Sequence, residues 1–470
     1  MIWAFQELRT LHRYPWPRLL QPALRMLGVL LLCAGTAQSQ PLAPSDAAAD
    51  LDTLLRTFEA VHPDLYRRTS QGAIEQQRAV LHRTLERPLS RRAFYVAAAR
   101  LAAAFRDGHT RVMLPLDAYE AAARTGTRTF PATVVQRNGA LYVRRSCVPH
   151  LPQGAQLHTI NERDAAVLFQ TVQTVISGAD VYQQAIAGAQ FPWLLWAHEV
   201  EAPFQISYTP PGPAATTHTR TFPGLSFADV RTCLTSPTPP YAFQRRAGVG
   251  ILTLHQLKHP MQFRQFLEDV ANRLAAQPVR GLVVDLRQCT GGRTKVARLL
   301  LGALTDRPFR LAVRKDWKVS RPYKTHLRTF AAADHPYLEH PTGRTLTINY
   351  QAQPPPDAPL QYEGPVVVLV GPRTFSSAVT LAASLKTQGV ATVVGQETGG
   401  RVHRFGEGYS FRLPHSGLRA MVSSAYLVHD SRPRDWDGGV PPHVSVTPPR
   451  PLGTDVALGV ALSHIHERSQ

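Results

Sequence analysis

Between residues 45 and about 106 the apolar positions keep a helical spacing. Leu51, Leu54, Leu55, Phe58 and Val61 form one stripe that ends at His62-Pro63, and Phe94, Ala97, Leu101 and Phe105 form a second behind Ser90, a favoured helix N-cap. The pattern predicts an N-terminal helical domain over 45–115. From 130 to about 222 short alternating runs replace it. Val134-Val135 and Leu141-Tyr142-Val143 flank Asn138-Gly139, the strongest hairpin signal in the chain, and Leu157 to Ile160 lead into a helix from about Asp164. From 248 onward unbroken β-branched runs alternate with helical stretches. The segment 248–254 predicts a strand, 263–274 a helix and 281–287 a buried strand, a βαβ unit. The segment 321–363, with Pro354-Pro355-Pro356, has little periodicity and predicts an inserted loop over the sheet. Residues 409–413 and 418–428 predict a hairpin, and 455–464 a last helix.

The stretch 364–400 organises this second half. Residues 366–370 are too short and too β-branched for a helix, and predict a buried parallel strand. After Gly371-Pro372, the positions Val379, Leu381, Ala382 and Leu385 recur at helical spacing up to Gly389, and 391–394 predicts another strand. Ser376 therefore opens a helix directly after a buried strand. Two readings fit it: an ordinary N-cap, or a nucleophile set among unpaired N–H groups at the positive end of a helix dipole.

Length and composition add domain count and compartment. A chain of 470 residues with 44% hydrophobic residues exceeds what one core usually serves. Arg9, Arg13, Arg18 and Arg25 precede a short apolar run at 26–33, and Ala37-Gln38-Ser39 offers small residues before Gln40. That predicts a signal peptide over 1–39 and an exported protein of the periplasm, cell envelope or exterior. Leu32 argues against a lipid on Cys33, and no run is long enough to span a bilayer. Of the other cysteines, Cys147, Cys233 and Cys289, buried free thiols are the default expectation and a Cys147–Cys233 pair the alternative. The formal charge of +19 is dispersed, without a basic stretch interleaved with aromatics, which speaks against a nucleic-acid partner.

The segment 364–400 resembles the nucleophile segment of the tail-specific, or C-terminal processing, serine proteases and their tricorn-like relatives, in which a serine opens a helix after a buried strand and a later strand ends in Val-Gly, as Val394-Gly395 does here. Asp285-Leu286-Arg287 through Gly291-Gly292 resembles the family's Asp-Leu-Arg-x-Asn-x-Gly-Gly signature, whose glycine backbone supplies an oxyanion-hole N–H. The resemblance implies a crotonase-like catalytic domain of βαβ units over 245–470. Segment 130–230 resembles a PDZ domain, although Ala155 and Glu162 replace its usual Asp and Gly and no carboxylate-binding loop is visible. Commoner members carry Ser-Ala-Ser-Glu and a downstream lysine base. Here the run is Ser376-Ser377-Ala378-Val379, and Arg401 stands where that lysine is expected.

Arg401 cannot serve as a base, because a guanidinium stays protonated. Asp107-Gly108-His109-Thr110 resembles the tricorn-like branch, in which a histidine after the helical lead-in is the base. His109 is thus the first candidate base and His403 the second, with Asp437 or Glu407 as the orienting acid and Gly291, Gly292 and Ser377 as the oxyanion hole. No G-x-S-x-G, S-x-x-K or H-E-x-x-H motif points to another hydrolase class, and no metal or cofactor is expected. The expected activity is cleavage of peptide or protein substrates through an acyl-enzyme on Ser376. The competing expectations are an inactive peptide- or lipophile-binding protein on the same scaffold and a structural envelope protein.

Overall fold

The computed structural model describes residues 41–212, 215–234, 238–430, 437–447 and 454–468. The proposed leader lies outside the described residues. Among the described residues no helix is long and apolar enough to cross a membrane. The described residues form a mixed α/β fold with three sheets.

Helices Pro44–Val61, Gln71–Thr84 and Arg91–Ala104 bury the apolar stripes seen in the sequence, and Ser90 caps the third by accepting the Ala93 N–H at 3.2 Å. They share one continuous core with the middle sheet, whose five main strands run in the order Ala132–Arg137, Ala140–Ser146, Gln156–Ile160, Phe204–Thr209 and His218–Phe222. Helix Asp180–Ala197 lies close on this sheet because of Gly188. A Cβ there would stand 2.3 Å from the Val134 carbonyl oxygen, so no larger residue fits without moving the helix off the strand. Cys147 and Cys233 form a disulfide, so the default expectation of free thiols is wrong for these two. Their Cα atoms are 5.9 Å apart although 86 residues separate them in sequence. Cys289 is free and buried.

The second sheet positions Ser376. Strands Val249–Leu254, Leu282–Asp285, Val366–Val370, Thr392–Gly395 and Val444–Ser445 run parallel, with Tyr241–Arg246 antiparallel at one edge. Strand Val366–Val370 is buried at every position because both faces of the sheet are covered. Val366, Val368 and Val370 pack under helix Ser377–Thr387, and Val367 and Leu369 under the last helix, Val456–Arg468.

The third sheet joins the halves. Arg111–Val112 pairs with Arg419–Val428, which also pairs with Arg404–Arg412 and Arg314–Lys318. The expected loop 321–363 contains three short elements. Helices Arg321–Leu327 and Pro336–Glu339 and strand Thr345–Asn349, which extends this sheet, pack around Trp317, Tyr323, Leu327 and Tyr337. Its apolar residues are few and irregularly spaced because each element is only one or two turns long, so no period accumulates.

Candidate active site

Strand Val366–Val370 ends at a turn in which Thr374 Oγ1 accepts the Gly371 N–H at 3.0 Å and donates to the Leu286 carbonyl at 2.8 Å. The Phe375 N–H donates to the Cys289 carbonyl at 3.0 Å. These bonds fasten the turn to the loop after strand Leu282–Asp285. That loop is braced by Arg287, which contacts Asp285 at 2.6 Å and Asp455 at 2.6 Å.

Ser376 stands at the end of this turn with φ 56° and ψ −127°, before helix Ser377–Thr387. A capping serine has extended backbone and a side chain that accepts a helix N–H. Ser376 has a left-handed φ and makes no such bond. Holding a non-glycine residue there costs of order 1–3 kcal/mol, which the bonds on either side of the turn sustain. The result is an Oγ turned away from its own helix.

That Oγ lies 3.0 Å from His109 Nε2. The His109 ring rests against Phe375, with centroids 4.7 Å apart, and Phe375 in turn stacks on Tyr182 at 4.4 Å. His109 Nδ1 faces Asp107 Oδ1 at 3.8 Å, and the same oxygen accepts the His109 backbone N–H at 3.0 Å. Asp107 Oδ2 accepts the hydroxyls of Thr110 and Ser423, each at 2.7 Å, and His62 Nε2 stands 3.5 Å away. Burial alone would raise the Asp107 pKa. The imidazoles of His109 and His62 that face it outweigh burial and hold the carboxyl well below the usual carboxylate range. A serine, an imidazole and a buried carboxylate in line can pass a proton from hydroxyl to imidazole while the carboxylate steadies the cation formed.

Gly291 and Gly292 border the same point. Gly291 has φ 84°, and a Cβ on it would come within 2.7 Å of Ser376 Cβ and 2.9 Å of the Ser377 nitrogen, so only glycine lets this loop approach. The Ser377 hydroxyl donates to the Gly292 carbonyl at 2.7 Å. The Ser377 N–H is at the first helical position, where helices leave amides unpaired.

Three expected partners are elsewhere. His403 is buried, its Nδ1 accepts the His429 N–H at 3.0 Å, and it does not line the cleft around Ser376. Asp437 is half exposed and held by Arg68 at 2.8 Å and Arg401 at 3.1 Å, so it is not the acid behind His109. Glu407 pairs with Lys315 at 2.9 Å. The carboxylate that faces His109 is that of Asp107, two residues earlier in the chain, which sequence reasoning does not single out. Its signal was the Asp-Gly-His spacing itself. Among the described residues no group of His, Cys, Asp or Glu is arranged to hold a metal.

Residues 248–446 match the family model of peptidase family S41. The matched segment is an S41 peptidase domain. No curated protein matches the sequence significantly. Among solved structures, this chain is similar to mature CPAF, with a TM-score of 0.63 at 14% identity over 91% of this chain and 96% of that one. It is also similar to mature CPAF complexed with lactacystin, with a TM-score of 0.62 at 13% identity over 91% and 98%. At these identities the likeness is one of fold.

Proposed function

We propose that this S41 peptidase is an exported, metal-independent endopeptidase that works through an acyl-enzyme on Ser376. The observation that carries the reading is the 3.0 Å contact between Ser376 Oγ and His109 Nε2 with Asp107 behind the ring. In the first step His109 takes the hydroxyl proton as Oγ bonds to the scissile carbonyl carbon. The oxygen of the tetrahedral intermediate is held by backbone N–H groups of the Gly291-Gly292 loop and Ser377. His109 then gives its proton to the leaving amine, and water repeats the sequence to free the acid. Asp107 stays ionised throughout and keeps the ring oriented.

On this reading the parallel-sheet domain is crotonase-like, and 130–230 is a PDZ-like module contributing Tyr182 to the site. Export is supported by the leader pattern and by the Cys147–Cys233 disulfide, a bond that persists in oxidising compartments. Arg401, engaged with Asp437 at 3.1 Å, leaves the base to a histidine.

A fluorophosphonate probe should label wild type and not Ser376→Ala. Ser376→Ala and His109→Ala should each remove most peptide hydrolysis, and the double variant should be little worse than either, because residues sharing one proton transfer are non-additive. An unlabelled wild type that still binds peptide would transfer the chain to the binding-protein reading. Chelator should leave turnover unchanged, and amino-terminal sequencing should place the mature start near Gln40.

A further inference from the structure

The cleft that contains Ser376 and His109 has a volume of about 1130 Å³, and its charged lining is one-sided. Seven arginines and lysines line it against one carboxylate, Asp117, which Arg91 already holds at 2.8 Å. The whole chain carries 52 basic and 33 acidic residues, so composition alone does not account for that ratio. Three features indicate that these charges await a ligand. Arg373, three residues before the nucleophile, makes a single hydrogen bond, to the neutral Gln288 amide at 2.8 Å, and its Nε is buried with no hydrogen-bond partner among the described residues. Lys258, next to the residue that bonds the Gly291 carbonyl, has no side-chain partner among the described residues. Arg412 and Arg419 are direct cross-strand neighbours, an arrangement in which like charges repel, and both line the cleft. A fold keeps an unpaired, half-buried guanidinium and a like-charge pair at a cost that a bound anion offsets.

We propose that the cleft selects carboxylate-bearing peptides, and that Arg373 and Lys258 are the specificity-determining residues that meet the carboxylate beside Ser376. This rests on the serine-peptidase reading. Two sources supply the chemistry, an Asp or Glu side chain near the scissile bond or the peptide's own terminal carboxylate.

The test is a set of internally quenched peptides of one sequence in which Glu, Gln or Lys is walked through the positions around the cleaved bond, each made with a free and an amidated carboxyl terminus. A kcat/KM for Glu over Gln of roughly tenfold or more at one position, largest at low salt, is expected for a charge-assisted contact. Persistence of the preference after amidation assigns it to the side chain, and its loss assigns it to the terminus. Within each variant, Arg373→Gln and the exposed Lys258→Gln should bring the ratio toward one, and Arg373→Glu should favour Lys peptides. Equal cleavage of charged, neutral and amidated peptides by a wild type that reacts with fluorophosphonate overturns the carboxylate proposal and leaves the peptidase reading intact. If no peptide is cleaved, anisotropy of the same peptides on Ser376→Ala decides. Tighter binding of Glu peptides supports the proposal, and equal or undetectable binding overturns it.

Discussion

Asp107 ties more of the site together than the nucleophile does, through His109, Thr110, Ser423 and His62. His62 Nδ1 accepts the Asp64 N–H at 3.2 Å, so its proton is on Nε2, the nitrogen facing Asp107. Asp107→Asn should lower kcat by about 10²–10⁴-fold with little change in KM, since it removes the charge that steadies the imidazolium and keeps the turn. His62→Gln, which keeps a donor in that position, should retain more kcat than His62→Ala, and equal losses would reduce His62 to a packing residue. The sequence pointed to Ser376, His109, Gly291 and Gly292 because each is fixed by local chain direction: a helix start, a helix stop, a loop that must approach closely. It did not point to Asp107, because an aspartate before Gly-His looks like ordinary turn chemistry, its oxygen bonding the N–H two residues on. Asp437 and His403 were attractive by motif position, and their arginine and histidine partners are invisible without the fold.

At the scale of elements, the strand Val366–Val370 and its helix were legible because burial on both faces leaves an unbroken apolar run. Segment 321–363 was not, since its aromatic residues meet Trp317 and the strand Arg419–Val428 only after long-range pairing. The disulfide was equally hidden, because sequence separation says nothing of Cα approach. Helix Asp180–Ala197 carries a sharper expectation. Gly188→Ala should destabilise the protein by about 1–3 kcal/mol, as overpacking does, visible as a lower urea midpoint. Because the same helix supplies Tyr182 to the ring stack with Phe375, activity should fall along with stability. An unchanged midpoint would mean that the helix has room to shift.

For the whole molecule, acid is the condition that separates its parts. His429 is buried, with Nε2 3.0 Å from Ser384 Oγ, and burial, aided by Arg404, pushes its pKa down to about 3. An unfolded histidine titrates near 6.5. Below that pH the unfolded chain binds a proton that the folded one refuses, so stability should decline from about pH 6.5 toward pH 3, by up to about 1.4 kcal/mol per pH unit for this group. His429→Gln, which keeps a partner for Ser384, should flatten the decline in urea midpoints measured across that range, and parallel curves would remove His429 as a cause. His198, lowered to about 4 mainly by burial, should leave a residual slope. The serine and the imidazole that meet at 3.0 Å are 267 residues apart in the chain. During synthesis His109 leaves the ribosome long before Ser376, and the strand Arg419–Val428 that anchors the Arg111–Val112 segment comes later still. A chain that stops short of Ser376 has no hydroxyl to meet the waiting imidazole, so the pair forms only late in synthesis.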